Sequence, residues 1–124
     1  MTNYVKQRIR AGQVPLAWAV ELASGDLRLN RPARAAYLRG KPLALSPKAV
    51  AVLKYLMTHR DELISRERLL EILWDLRSSI GTRAVDTRIS ELRRALDDER
   101  TAPRYIETVS SLGYRFVGPV EAVP

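Results

Sequence analysis

Between Thr82 and Leu96 the chain reads TRAVDTRISELRRAL, and no other segment constrains the fold as much. At about 100° per residue, Val85, Ile89, Leu92 and Leu96 fall on one narrow apolar stripe. Arg83, Thr87, Ser90, Glu91 and Arg94 then occupy the opposite face. Such a helix is buried along one side and presents arginines and short polar groups on the other. Arginine can hydrogen-bond guanine at two atoms, Ser and Thr can meet bases or phosphates, and Glu can accept from cytosine. In an isolated helix a charged face is usually just a solvated one. Here a hairpin-like segment, RYIETVSSLGYRF (Arg104 to Phe116), follows, and other helices precede it.

Those earlier helices announce themselves by their starts. Ser46-Pro47 supplies an N-cap hydroxyl and a proline at the first helical position. Val50, Leu53, Leu56 and Met57 follow at helical spacing, and His59-Arg60 suit the negative end of the dipole. After Leu63-Ile64, Ser65 caps a second helix whose buried side is Leu69, Leu70, Leu73 and Trp74. The segment DLRSSIG (75–81) separates it from the third helix. Arg104 to Val109 and Gly113 to Val117 make two strands joined through Ser110-Ser111-Leu112. Upstream, from Leu16 to Leu45, short extended runs alternate with turn residues. AWAVEL, with Trp18, Val20 and Leu22 on one face, LRL, ARAAYL and PLAL predict a small antiparallel sheet of four strands.

Composition limits the chemistry. There is no cysteine and a single histidine, His59, so a disulfide framework, a thiolate nucleophile and a zinc site built from these ligands are not expected. His59 has no nucleophile or carboxylate partner at mechanistic spacing, and the acidic run Asp97-Asp98-Glu99 reads as a solvated turn rather than a metal site. No enzyme and no cofactor are expected. The formal net charge of +7 favours an acidic partner. Its distribution is uneven: residues 1–45 carry eight Lys/Arg against two Asp/Glu, whereas residues 46–124 carry thirteen against twelve. Local placement on the third helix therefore argues for DNA more strongly than bulk charge does. The apolar run VPLAWAV, preceded by Lys6, Arg8 and Arg10, is too short for a secretory signal and is cut by Glu21. Nothing approaches the ~20 apolar residues of a membrane span, so a soluble, cytoplasmic protein is expected.

Three helices followed by a β-hairpin is the winged helix-turn-helix order, an α+β arrangement in which two helices and the sheet brace the third for entry into a major groove. From about Val20 to Val117 the sequence resembles the DNA-binding effector domain of OmpR/PhoB-type response regulators. SRERLLEILW, RAVDTRISELRRAL and GYRF carry the resemblance together, and PKAVAVLKYLMTHRDEL and the strand set before it agree in order and spacing.

The resemblance implies roles position by position. Arg83, Thr87, Arg88, Ser90, Glu91, and Arg93 or Arg94 supply base and phosphate contacts. Trp74 either meets a phosphate through its ring nitrogen or is a core tryptophan. Thr108 and Tyr114 flank the wing and touch the backbone. Asp75, Leu76, Arg77, Ser78, Ser79 and Ile80 correspond to the segment that contacts RNA polymerase in activators of this family, or form a plain connector. Tandem binding to direct repeats, as a head-to-tail homodimer on DNA, is implied as well. The charge split suggests that Arg28, Arg31, Arg34, Arg39 and Lys41 of one copy face Asp97-Asp98-Glu99 of the next.

Two departures from the family pattern matter. The wing tip often holds an arginine before a glycine, but here it reads Ser110-Ser111, which can bond phosphate yet cannot sense a narrow minor groove as arginine does. Glu91 stands where a basic residue is familiar, and either accepts from a cytosine or pairs with Arg88 or Arg94 one turn away. A receiver domain does not fit within 124 residues, so the chain is read as an isolated effector domain or a receiver-less regulator. Residues 1–15 are read as a basic arm or linker, 16–119 as the winged-helix domain and 120–124 as a C-terminal tail. The competing reading is a winged-helix protein-interaction module that has lost specific DNA binding.

Overall fold

The structure is a computed structural model that describes residues 14–75 and 80–123. Among these, strands β1 (Glu21–Ser24), β2 (Leu27–Asn30), β3 (Ala35–Leu38) and β4 (Lys41–Pro42) come first. Helix α1 (Pro47–Thr58), the short strand β5 (Ile64–Ser65), α2 (Arg66–Leu73) and α3 (Arg83–Leu96) follow. The chain closes with β6 (Ile106–Val109), β7 (Gly113–Phe116) and β8 (Glu121–Val123). Two sheets result, with strand orders β4-β3-β2-β1-β8 and β5-β7-β6.

The expected four-stranded sheet is present and carries one more strand. Residues 121–123, read as part of a tail, pair antiparallel with β1 and set Ala122 opposite Leu22. Leu22 in turn faces Leu29, and Leu29 faces Ala36. All four side chains are buried, so the last strand completes an apolar row across the inner face of the sheet. The unit that began as 16–119 therefore extends through Val123.

The first strand also starts later than its alternation suggested. Leu16–Trp18 forms a turn of 3-10 helix, closed by Trp18 N–H donating to Pro15 O at 2.9 Å. This turn shifts the phase, so that Ala19 and Leu22 point inward while Trp18 and Val20 are exposed. Proline at 15 fixes an extended backbone angle ahead of the turn and cannot donate to a ladder, which disfavours a continuous strand from Ala17.

The helices follow their start signals. The Ser46 hydroxyl accepts from Ala49 N–H, and the Ser65 hydroxyl accepts from Arg68 N–H, each satisfying one orphan donor of its helix. Helix α3 buries Val85, Ile89, Leu92 and Leu96, the stripe read from the sequence. At about 1.5–3 kcal/mol per fully buried aliphatic side chain, an upper estimate, this row fixes the helix on the core. Asp97 ends α3 in the left-handed region (φ 52°), and Asp98 N–H returns to Arg93 O at 2.9 Å.

Gly113 is required by a close approach. A Cβ there would collide with the Ile64 carbonyl oxygen and with Ser65 Cα, because β5 pairs antiparallel with β7 and sets Ser65 opposite Gly113. The wing is thereby stitched to the start of α2, and the core of both sheets and all three helices is continuous.

Candidate nucleic-acid interface

Arg83, Thr87, Ser90 and Arg94 are all exposed on α3, spaced i, i+4, i+7 and i+11 along its length. That spacing aligns them in one row opposite the buried stripe. The row is rigid because the opposite face is anchored, and it is chemically mixed, with an arginine at each end and two hydroxyls between. Thr87 Oγ1 donates to Arg83 O at 3.0 Å, which leaves the oxygen's own lone pairs able to accept.

The remaining α3 candidates are drawn into the fold. Arg93 is half-buried, and its guanidinium donates to Ile106 O at 2.9 Å and to Thr108 Oγ1 at 2.8 Å, tying the helix to the first wing strand. Burial pushes its pKa down from the usual arginine range. Thr108 thus serves as the acceptor of that tie. Tyr114 is buried, not laid on the surface, and its hydroxyl donates to Asp86. Burial, then the hydrogen bond to Asp86, raises the Tyr114 pKa. Arg66 Nε donates to the same Asp86 oxygen at 2.8 Å, and Arg66 also reaches Ser111 O at the wing tip at 2.8 Å. Burial alone would raise the Asp86 pKa, but the hydrogen bonds from Tyr114 and Arg66 outweigh it and hold the carboxyl below its ordinary range. One carboxylate therefore locks α2, α3 and the wing together.

Glu91 and Arg88 form a second lock, toward α1. Glu91 accepts from Ser46 N–H at 2.6 Å and from the Ser46 hydroxyl at 2.8 Å. Arg88 pairs with Glu91 at 2.8 Å and donates to Ser46 Oγ at 3.0 Å. Of the alternatives open for Glu91, pairing with Arg88 is the one the fold adopts, with the α1 N-terminus as an added partner. Burial would raise the Glu91 pKa, yet the Ser46 hydrogen bonds and the Arg88 charge keep it below the ordinary carboxylate value.

Trp74 ends α2 half-buried against the core, with Lys48 Nζ 5.0 Å from its ring centroid. Lys48, Trp74, Thr87 and Arg88 line one shallow cleft beside α3, so the tryptophan combines a core contact with an open edge. Ser110 and Ser111 are exposed at the wing tip, Ser110 with φ 50°. Of the segment Asp75 to Ile80, Leu76, Arg77, Ser78 and Ser79 lie outside the described residues, while Asp75 and Ile80 are exposed.

The acidic run divides, with Asp97 and Glu99 exposed and Asp98 turned inward. Asp98 is buried, and its carboxylate accepts from the backbone N–H groups of Arg104 (2.7 Å), Tyr105 (3.3 Å) and Ile106 (2.9 Å). It holds the turn into β6 and is not a surface charge, which corrects its reading as part of a solvated acidic patch. On the opposing sheet, Arg28 pairs with Glu21 at 3.7 Å and Arg39 with Asp26 at 3.3 Å.

Sequence reasoning missed Arg66, Asp86 and Arg100, which line the cleft between α3 and the wing with Ser90, Arg93 and Thr108. Asp86 carried a signal of its own: an acid in the first turn of a helix, one position off the arginine row. Its partners on α2 and β7 have no sequence signature, because they meet it only in three dimensions. His59 has a carboxylate neighbour after all, Glu62 at 3.1 Å, which corrects the expectation of none, and its ring packs at 4.2 Å from that of Tyr55 at the end of α1.

Helix α3 braced by α1 and α2 and flanked by a hairpin is the architecture of a winged-helix DNA-binding domain. Residues 40–116 match the family described as "Transcriptional regulatory protein, C terminal", and the chain belongs to that family. It is 33% identical over 99 residues to the alkaline phosphatase synthesis transcriptional regulatory protein PhoP of Bacillus subtilis, covering 80% of this chain and 41% of PhoP. The response regulator DrrB of Thermotoga maritima, an OmpR/PhoB homologue, superposes with a TM-score of 0.73 at 33% identity, over 80% of this chain and 45% of DrrB. The RstA DNA-binding domain of Klebsiella pneumoniae, solved in complex with the RstA box, gives a TM-score of 0.70 at 34% identity, over 78% of this chain and 96% of that one. The chain thus spans less than half the length of PhoP and DrrB and matches their effector part. Among the described residues, no helix is long and apolar enough to cross a membrane.

Proposed function

We propose that this chain binds double-stranded DNA with sequence preference as the effector domain of a cytoplasmic transcriptional regulator, with α3 in the major groove and the wing on the adjacent backbone. The observation that carries the reading is the exposed row Arg83, Thr87, Ser90 and Arg94 on a helix whose other face is buried. Arg83 and Arg94 supply bidentate donors for guanine or phosphate, and Thr87 and Ser90 adjust to either. Trp74, which shares a cleft with Thr87, and the exposed wing-tip residues Ser110 and Ser111 grip the backbone. Family membership supports the reading, as does the RstA domain's complex with its own DNA box. The resemblance to OmpR/PhoB effector domains further implies that copies bind head to tail on direct repeats and that the segment 75–80 meets RNA polymerase. Asp97 and Glu99, without Asp98, remain as the acidic face available to a neighbour's Arg34 and Lys41, Arg31 being half-buried and bonded to Leu16 O.

Selection of bound duplexes from a random library at near-physiological salt, followed by sequencing, tests this. Two similar half-sites in direct orientation are the expected result, and an inverted pair overturns the tandem geometry alone. Absence of any enrichment overturns sequence-specific binding and favours a protein-docking winged helix, a reading to which the withdrawal of Arg88 and Arg93 into the fold lends some support.

A further inference from the structure

Arg88 stands one residue beyond Thr87 on α3, lines the cleft beside Trp74, and is one of four arginines on the helix. Its guanidinium is nevertheless engaged from within, by the carboxylate of Glu91 and the hydroxyl of Ser46. The Glu91 carboxylate uses both oxygens, one on Ser46 N–H and the other on Ser46 Oγ and Arg88. The arrangement is the one a phosphate would adopt at a helix N-terminus: an anion capped by a backbone N–H and a hydroxyl, and neutralised by an arginine.

We propose that Glu91 is an internal substitute for a DNA phosphate, which holds Arg88 off the duplex and thereby leaves base selection to Arg83, Thr87, Ser90 and Arg94. This rests on the DNA-binding reading above and assigns Glu91 as a positioning residue for specificity. Two consequences follow from charge and geometry. Of the four arginines on α3, Arg93 is already tied to the wing, and Glu91 withdraws a second sequence-blind cation, Arg88, from the surface, which lowers non-specific affinity relative to specific affinity. The crossing of α3 over the α1 N-terminus is also pinned by a charge-assisted contact, so the reading row meets the groove at a fixed angle.

The test is the salt dependence of duplex binding for the wild type, Arg88→Ala, Glu91→Ala and the double variant, on a selected site and on random DNA. Each phosphate neutralised contributes about 0.9 to the slope of log K against log salt. Arg88→Ala is expected to leave the slope unchanged. Glu91→Ala frees Arg88 and is expected to steepen the slope by about 0.9 while tightening random-DNA binding several-fold. The double variant is expected to return to the wild-type slope. A flatter slope in Arg88→Ala alone shows that Arg88 already meets a phosphate and overturns the proposal. Equal slopes for Glu91→Ala and wild type overturn it too. Glu91→Gln, which keeps an acceptor for Ser46 without the charge, decides the matter in the same way if Glu91→Ala fails to fold. A wild type with no salt-sensitive duplex binding instead removes the DNA-binding reading itself, an outcome separable from either slope result.

Discussion

Arg66 and Asp86 meet at 2.8 Å, joining the first residue of α2 to the first turn of α3. Because Tyr114 of the wing donates to the same carboxylate oxygen, three elements converge on one acid. Charge-assisted hydrogen bonds of this kind contribute about 1.5–3 kcal/mol when sheltered, and the 44% exposure of the Asp86 side chain places this one toward the lower end. Asp86→Asn is therefore expected to destabilise the domain by about 1–2 kcal/mol at neutral pH. The sign with pH follows from the depressed carboxyl pKa. The contribution is complete above the ordinary carboxyl range and is lost as pH falls through the lower, folded value. Urea unfolding at pH 7 and near pH 3 checks it: the gap between wild type and variant should narrow in acid, and a gap independent of pH would contradict the assignment.

Asp98 and its neighbours in the acidic run should behave in opposite ways. Asp98→Ala leaves three backbone N–H groups, those of Arg104, Tyr105 and Ile106, without their acceptor at the start of the wing. A loss of about 2–4 kcal/mol is expected, read by thermal or urea unfolding. Glu99→Ala, at an exposed position, is expected to change stability by no more than about 0.5 kcal/mol. Equal effects would mean that the run acts as one surface charge patch after all.

These two acids mark the boundary of what the sequence made legible. The α3 stripe, both serine caps and the wing strands were readable because each signal is local: periodicity, a capping hydroxyl before a helix, alternation around a turn. Asp98 lies in a local acidic run but acts on residues six to eight positions ahead, through backbone atoms that no side-chain pattern advertises. Strand β8 was missed for a similar reason. Three residues, EAV, carry no alternation of their own, and only the register of Ala122 against Leu22 makes them a strand. Trp18 and Val20 were assigned to the wrong face because alternation was read through a proline-led 3-10 turn that interrupts it. Within the candidate site, the exposed row on α3 was legible, whereas the tying-down of Arg93, Tyr114 and Glu91 depends on partners 13 to 45 residues away.

Gly113→Ala should uncouple the wing from α2. The added methyl meets backbone atoms of Ile64 and Ser65, which cannot rotate aside as a side chain would. Overpacking of this sort costs about 1–3 kcal/mol, and the strain falls on the pairing of β5 with β7. Hydrogen exchange is expected to accelerate at Ile64, Ser65 and Tyr114 before it does in α1, and uniform acceleration through the domain would show that no such local seam exists.

Arg93 and Arg94 are adjacent in sequence and differ in every physical respect that matters. Arg93 is held by Ile106 O and Thr108 Oγ1, with its Nε buried and without an acceptor. Arg94 is exposed at the end of the reading row. Arg93→Ala removes the donors to the wing and is expected to lower stability by about 1–3 kcal/mol, weakening binding to all duplexes alike as the wing loosens. Arg94→Ala is expected to leave stability within about 0.5 kcal/mol. If its guanidinium makes a bidentate contact to guanine, the same change weakens specific binding by about 1–3 kcal/mol and relaxes preference at one base pair. Thermal unfolding and duplex titration of both variants separate the two roles. An Arg94→Ala loss that is equal on every sequence would move that residue from the bases to the phosphates, leaving Arg83, Thr87 and Ser90 to carry the selection.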